Sequence, residues 1–177
     1  VAIGATSNDG NGNNSGHVRI YQVKEVISDT SVTATYLNTL DSDTSWIIDA
    51  SAVTTITGTV SELKTVYASS GITGLGDEAV TISDTTISAS ELNTLDGNTS
   101  GTVDASAVTT ITGTVAAANT AYASSGITGL GNEAVTISDT TISASELNIL
   151  DSNTTGKVDG SAVTTITGSI NSSMDSV

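Results

Sequence analysis

Apolar positions along this chain change period at regular intervals. Val53-Thr-Thr-Ile-Thr57 and Val108-Thr-Thr-Ile-Thr112 are β-branched stretches that suit short strands. Thr102-Val-Asp-Ala105 reads as a second short β segment. Between such segments lie stretches of seven to nine residues rich in helix formers, Ser88 to Leu95 and Thr114 to Tyr122. Each opens on a Ser or Thr that suits an N-cap, and Ser88-Ala-Ser-Glu91 fits the capping-box pattern. Loops of Gly, Asn and Ser are expected at Asp96 to Gly101 and at Ser124 to Gly131. Gly113 or Asp84 turns the chain toward the next helix.

The pattern repeats. Val53-Thr-Thr-Ile-Thr-Gly58 returns at Val108 to Gly113 and at Val163 to Gly168, a period of 55, and residues 71–113 match residues 126–168 at 37 of 43 positions. A more divergent copy lies near 26–70, where Tyr36-Leu-Asn-Thr-Leu-Asp41 stands for Glu91-Leu-Asn-Thr-Leu-Asp96. The copies therefore fall near 26–70, 71–125 and 126–177. Each has two related halves. Val53-Thr-Thr-Ile corresponds to Val80-Thr-Ile-Ser and then to Val108, which gives an elementary period of 27 to 28. One such unit cannot bury its apolar face alone, whereas stacked units can. The expected fold class is mainly β with short helices: a single-chain repeat solenoid of about 27–28 residues per turn, its strands stacked in parallel. Five turns at the spacing of paired strands would make a rod about 25 Å long.

Composition narrows the function. The chain has 177 residues, a net charge of −15, and no Cys, Phe or Pro; Thr and Ser number 32 and 26. Nucleic-acid binding needs many phosphate-neutralising cations, and only Arg19, Lys24, Lys64 and Lys157 are present. No apolar run reaches the roughly 20 residues of a membrane-spanning helix. No signal-peptide pattern is present. Without Cys there is no disulfide frame, thiolate metal site or Cys nucleophile. Small β-branched and hydroxyl side chains are what a narrow stacked coil accommodates, and prolines would remove ladder donors.

Some polar residues recur with the repeat. Asn38, Asn93 and Asn148, with Asn119 at the equivalent place in the other half-repeat and Lys64 replacing it once, are expected to form a poorly exposed structural Asn ladder. A ligand-binding stripe is the alternative. Asp29, Asp84 and Asp139, Asp41, Asp96 and Asp151, and Asp49, Asp104 and Asp159 read as a solvated acidic surface. Like charges of one stripe would lie two turns, about 10 Å, apart. That spacing does not suit one Ca²⁺ shared by neighbouring turns. Candidates for Ca²⁺ are Asp41 and Asp43, and Asp9 in the loop 7–16. Threonine rows could present an ice-binding face, but Val80-Thr-Ile-Ser83 breaks a wide array. His17 is the only His, and no acid and nucleophile are spaced around it as a triad. Asn98-Thr-Ser100 and Asn153-Thr-Thr155 are glycosylation sequons.

Residues 1–24 stand outside the repeat. Val1 to Ala5 and His17 to Gln22 predict a β-hairpin with a long loop, a cap or the end of a preceding domain before the repeat region 25–177. Ala-Ile-Gly-Ala and Gly-His-Val-Arg-Ile-Tyr around Asn8-Asp-Gly10 resemble one blade fragment of FG-GAP-type β-propeller repeats. A single copy implies a fragment of a larger protein. The repeat, from Ile87-Ser-Ala-Ser-Glu-Leu-Asn-Thr-Leu-Asp-Gly97 through Tyr122-Ala-Ser-Ser-Gly-Ile-Thr-Gly-Leu-Gly131, resembles tandem repeats of giant secreted cell-surface proteins of marine cyanobacteria and related bacteria. The resemblance spans about 150 residues and implies an extracellular, structural role. The shorter Ala89-Ser-Glu-Leu-Asn-Thr-Leu-Asp-Gly97 is also similar to a repeat of trimeric phage tail fibres.

These readings converge on a non-enzymatic structural segment of a bacterial cell-surface or extracellular fibre protein, of the adhesin, stalk or filament type. The partners expected are further copies, by end-to-end self-association, or neighbouring repeats of the same protein. No cofactor is required, although Ca²⁺ stays open. The competing readings are a trimeric phage-type fibre segment and a module binding Ca²⁺, glycans or ice.

Overall fold

The structure is a computed structural model that describes residues 2–4, 18–20 and 23–168. Two short strands, β1 (Ala2–Gly4) and β2 (Val18–Ile20), pair antiparallel with Ala2 opposite Ile20. The loop expected to carry Asp9 lies outside the described residues, as do His17 and residues 169–177.

The rest of the described chain is a series of units, each of two or three strands followed, in all but the last, by one helix. In chain order they are β3 (Lys24–Val26), β4 (Ser31–Thr33) and α1 (Ala34–Asp43), then β5 (Ile47–Asp49), β6 (Thr55–Gly58) and α2 (Val60–Ala68). Next come β7 (Ile72–Thr73), β8 (Ala79–Ile82), β9 (Thr86–Ser88) and α3 (Ala89–Asn98), then β10 (Val103–Asp104), β11 (Thr110–Gly113) and α4 (Val115–Ala123). The series continues with β12 (Ile127–Thr128), β13 (Ala134–Ile137), β14 (Thr141–Ser143) and α5 (Ala144–Asn153), and ends with β15 (Val158–Asp159) and β16 (Thr165–Thr167).

Helices start where the hydroxyl caps predict. Thr33, Thr59, Ser88, Thr114 and Ser143 each accept a hydrogen bond from the backbone N–H three residues on. The reciprocal capping box closes at Thr59 with Glu62 and at Ser143 with Glu146. At Ser88, Oγ lies 2.8 Å from Glu91 Oε2. The third helix runs past the expected loop start at Asp96 and ends at Asn98.

All strand pairs after β1–β2 are parallel, and every connection between paired strands passes through one helix. The sheets are open, with orders β3-β5-β7, β4-β6-β8-β10-β12, β9-β11-β13-β15 and β14-β16. Consecutive helices pack on one another. Among the described residues the architecture is therefore mixed α/β with five helices and open parallel sheets, which corrects the expectation of a mainly β chain. Helices of nine or ten residues match in bulk the strands of two to four.

Spacing also departs from expectation. Ile56 pairs with Val80, a sequence step of 24, and Val80 pairs with Val103, a step of 23. The helices begin at Ala34, Val60, Ala89, Val115 and Ala144, so their starts advance alternately by 26 and by 29. Sequence self-comparison averages to 27 or 28 because it aligns like segments, whereas the backbone pairs unlike ones. Every second unit inserts an extra strand, β9 or β14, directly before its helix. That strand opens a new sheet, while another sheet ends at β7 or β12 of the same unit.

Inward side chains form columns down these sheets. One runs Val32, Ile56, Val80, Val103, Ile127, all buried. Another runs Ile87, Ile111, Val135, Val158. Parallel sheets need both faces covered. Leu37, Leu63, Leu92, Leu95 and Leu150, fully buried on the helices, join the strand columns in one continuous core.

Candidate functional site

The recurrent polar residues converge on the junctions between consecutive units. On the helix side, Asn38 of α1 donates its amide to the carbonyl of Glu62 in α2 at 3.0 Å, and Asn93 of α3 to that of Ala117 in α4 at 3.0 Å. Asn119 of α4 reaches the carbonyl of Glu146 in α5 at 3.2 Å. The bonds run to backbone, not from amide to amide. Where Lys64 replaces the amide in α2, its ammonium meets Glu91 of α3 at 3.2 Å. These three Asn side chains are partly buried; Asn148, on the last described helix, is exposed. Asn153 adds a 3.4 Å contact back to Asn119. One helix position thus bridges every described pair of consecutive helices.

The aspartates do similar work. Asp84 accepts from the first helical N–H of α2, Val60, at 2.7 Å, and Asp139 from Val115 of α4 at 2.8 Å. These N–H groups are among the unsatisfied donors of a helix start, where a carboxylate is favoured. Asp41 accepts from Ser69 and Asp96 from Ser124, each at 2.7 Å. Those serine oxygens in turn accept from Gly71 and Gly126. Asp49, Asp104 and Asp159 accept from the N–H two residues on, at Ser51, Ser106 and Ser161. None of the nine recurrent aspartates is buried, and seven of them also accept hydrogen bonds within the chain.

Two carboxylates went unnoticed in the sequence. Glu78 and Glu133 are 1% and 0% exposed. Glu78 accepts from the Tyr67 hydroxyl, from Gly76 N–H at 2.8 Å and from Asp77 N–H at 3.2 Å. Glu133 accepts from the Tyr122 hydroxyl at 3.0 Å and Gly131 N–H at 2.9 Å. A buried carboxylate costs several kcal/mol unless donors surround it, and here they do. Burial, then the hydrogen bond to Glu78 and its negative charge, push the Tyr67 hydroxyl far above the ordinary phenol range, with the Thr99 hydroxyl acting in the opposite sense. Burial also raises Tyr122, which Thr154 opposes and Glu133 reinforces. A signal was available: Tyr and Glu keep the same eleven-residue separation in both copies.

The backbone beside each buried Glu is packed as tightly. Thr99 donates to the Glu78 carbonyl at 2.6 Å and Thr154 to that of Glu133 at 2.7 Å. A Cβ at Gly101 would meet the Glu78 oxygen at 2.4 Å, and one at Gly156 the Glu133 oxygen at 2.1 Å. Only glycine fits at these two positions.

Among the described residues no group of three or more His, Cys, Asp or Glu could hold a metal ion. Asp41 is engaged by Ser69, and Asp43 lies 3.5 Å from the Ser42 hydroxyl. An open groove along α2, flanked by α1 and α3, is lined by Asp41, Ser61, Lys64, Ser69 and Glu91, and the charges in it are already bonded to one another or to Ser69. No described buried side-chain nitrogen or oxygen lacks a partner. No helix of the described residues is long and apolar enough to cross a membrane. No family model matches the chain, and neither a curated protein nor a solved structure matches it.

Proposed function

We propose that the units coil into a single-chain solenoid and that the chain is a non-enzymatic structural segment of a large bacterial cell-surface or extracellular fibre protein, of the kind its repeat resembles. The observation that carries this reading is where the recurrent polar groups are spent. Asn38, Asn93, Asn119, Lys64, Asp84 and Asp139 each bond to the adjacent unit. In a binding module, convergent polar groups would be left free to face a ligand. The core lies within one chain, since Leu37, Ile56, Leu92 and Ile111 are fully buried without a partner subunit. That favours a monomeric rod over a three-fold fibre. The ends of such a rod carry unpaired strand groups, and its partners are further units of its own kind.

Light scattering and small-angle X-ray scattering on the purified chain test this together. The expected result is an elongated particle whose mass is that of one chain at low concentration. A stable trimer would favour the phage-type fibre. A rise in melting temperature on adding Ca²⁺ would favour the binding module.

A further inference from the structure

The first copy of the repeat departs from the other two around one cavity. Glu25 stands where the later copies have Val80 and Val135, Asp43 where they have Asn98 and Asn153, and Trp46 where they have Gly101 and Gly156. These three residues line a single open cavity of about 500 Å³ with Leu40, Thr44 and Ser45. That volume lies within the usual range of small-molecule sites. Tyr36, which replaces Glu91 and Glu146, stands one turn before Leu40 on the same face of α1. Tyr36 and Trp46 are each 47% exposed.

Polar groups are spent differently here than at the junctions between units. Among the described residues, no hydrogen bond or ion pair engages the carboxylate of Glu25, and its neighbour Lys24 is committed to Asp49. Asp43 meets the Ser42 hydroxyl at 3.5 Å, too far for a strong bond. An indole face with carboxylates at its rim is suited to a cation. The ring quadrupole attracts positive charge, and a carboxylate strengthens each hydrogen bond or contact that a cationic group makes. Leu40 and the indole would cover the alkyl part of such a ligand. A neutral ligand gains little from the two charges, and an anion is repelled by them and by the net charge of −15.

We propose that the cavity bounded by Glu25, Leu40, Asp43 and Trp46 binds an organic cation, of the quaternary ammonium or alkylated amine class. The site goes beyond the structural role and does not depend on it.

Trp46 is the only Trp of the chain, so its emission reports the cavity directly. The full 177-residue chain is titrated with choline, with its uncharged isostere 3,3-dimethyl-1-butanol, and with NaCl as the ionic control. Choline is expected to change Trp46 emission saturably, with a Kd of about millimolar, while the isostere and NaCl leave it unchanged. Glu25→Gln with Asp43→Asn should weaken choline about fivefold or more. Both side chains are exposed, so the melting transition should stay in place. Line broadening of the choline methyl signal in NMR is a second readout that needs no Trp, and Trp46→Ala should abolish it. Equal binding of choline and its isostere would overturn the proposal, as would undiminished binding to the Gln and Asn variant. An emission that acrylamide quenches but choline leaves unchanged would overturn it too. So would one that neither changes, since the cavity would then be filled by the chain itself.

Discussion

The strand side and the helix side of the array register successive units by different means. On the strand side, backbone ladders and inward aliphatic columns fix the sequence step at 23 or 24. A one-residue slip there would turn the whole column outward. On the helix side, the step alternates between 26 and 29, and single polar side chains span the junctions. The enclosed positions paired with Ile56 and Ile111 are all Val or Ile, whereas the bridging helix position accepts Asn or Lys and reaches a carbonyl or a carboxylate. Register set by backbone and packing restricts sequence tightly. Register set by a reaching side chain leaves room to vary, as Lys64 in the place of Asn38, Asn93 and Asn119 shows.

Breaking the strand side should cost most. Ile111→Ala empties a fully buried position between Ile87 and Val135, and chemical denaturation is expected to show a loss of about 2–5 kcal/mol. Glu78→Ala leaves the Tyr67 hydroxyl and two backbone N–H groups without their acceptor. A loss of about 1–3 kcal/mol is expected, with Glu78→Gln recovering part of it in the same melt. On the helix side, Asn93→Ala removes one partly buried bond and should cost about 1 kcal/mol. If it cost as much as Ile111→Ala, the contrast between the two sides would fail. Lys64→Ala should be smallest, about 0–1 kcal/mol and vanishing in high salt, because both partners of its ion pair are well exposed.

Acid sharpens the same comparison. The hydrogen bond and charge of Lys24, with the donors of Ser51, hold Asp49 down at about 2. The N-cap hydroxyls and N–H groups at Thr59, Ser88 and Ser143 lower Glu62, Glu91 and Glu146. A lowered carboxyl contributes stability above its unfolded value, near 4, and that contribution is lost as pH falls through the folded value. Melting temperature should therefore decline from about pH 4 to pH 2, with Asp49 the last of these to give way. Hydrogen exchange during that titration should open the helix starts before the strand columns.

Much of the fold was legible. The period of 55, the helix starts and the β-branched strands all follow from local rules, because a Ser or Thr cap and a Val-Thr-Thr-Ile stretch act on their own neighbours. The unit length was not legible. Val53 aligns with Val80 as sequence, yet Ile56 is the residue that faces Val80, since the extra strand of every second unit shifts the partners. The Asn positions recurred visibly, but their acceptors are carbonyls, which every residue has, so the partner could not be read. Glu78 and Glu133 were missed because a Glu beside Asp or Asn in a glycine loop looks solvated until Tyr67 and Tyr122 fold over it.

The central claim is that strands pair across a sequence step shorter than the repeat's own half-period, and so join unlike segments. The chain has no Cys, so a cysteine pair reports register cleanly. Thr57 and Thr81 are direct partners on β6 and β8 and alternate with the buried residues of both strands. Neighbouring strands lie about 4.8 Å apart, within disulfide reach. Thr57→Cys with Thr81→Cys should oxidise within one chain to near completion. Thr54→Cys with Thr81→Cys, the pair demanded if like segments stacked, should stay reduced. Efficient cross-linking of the second pair and not the first would contradict the account.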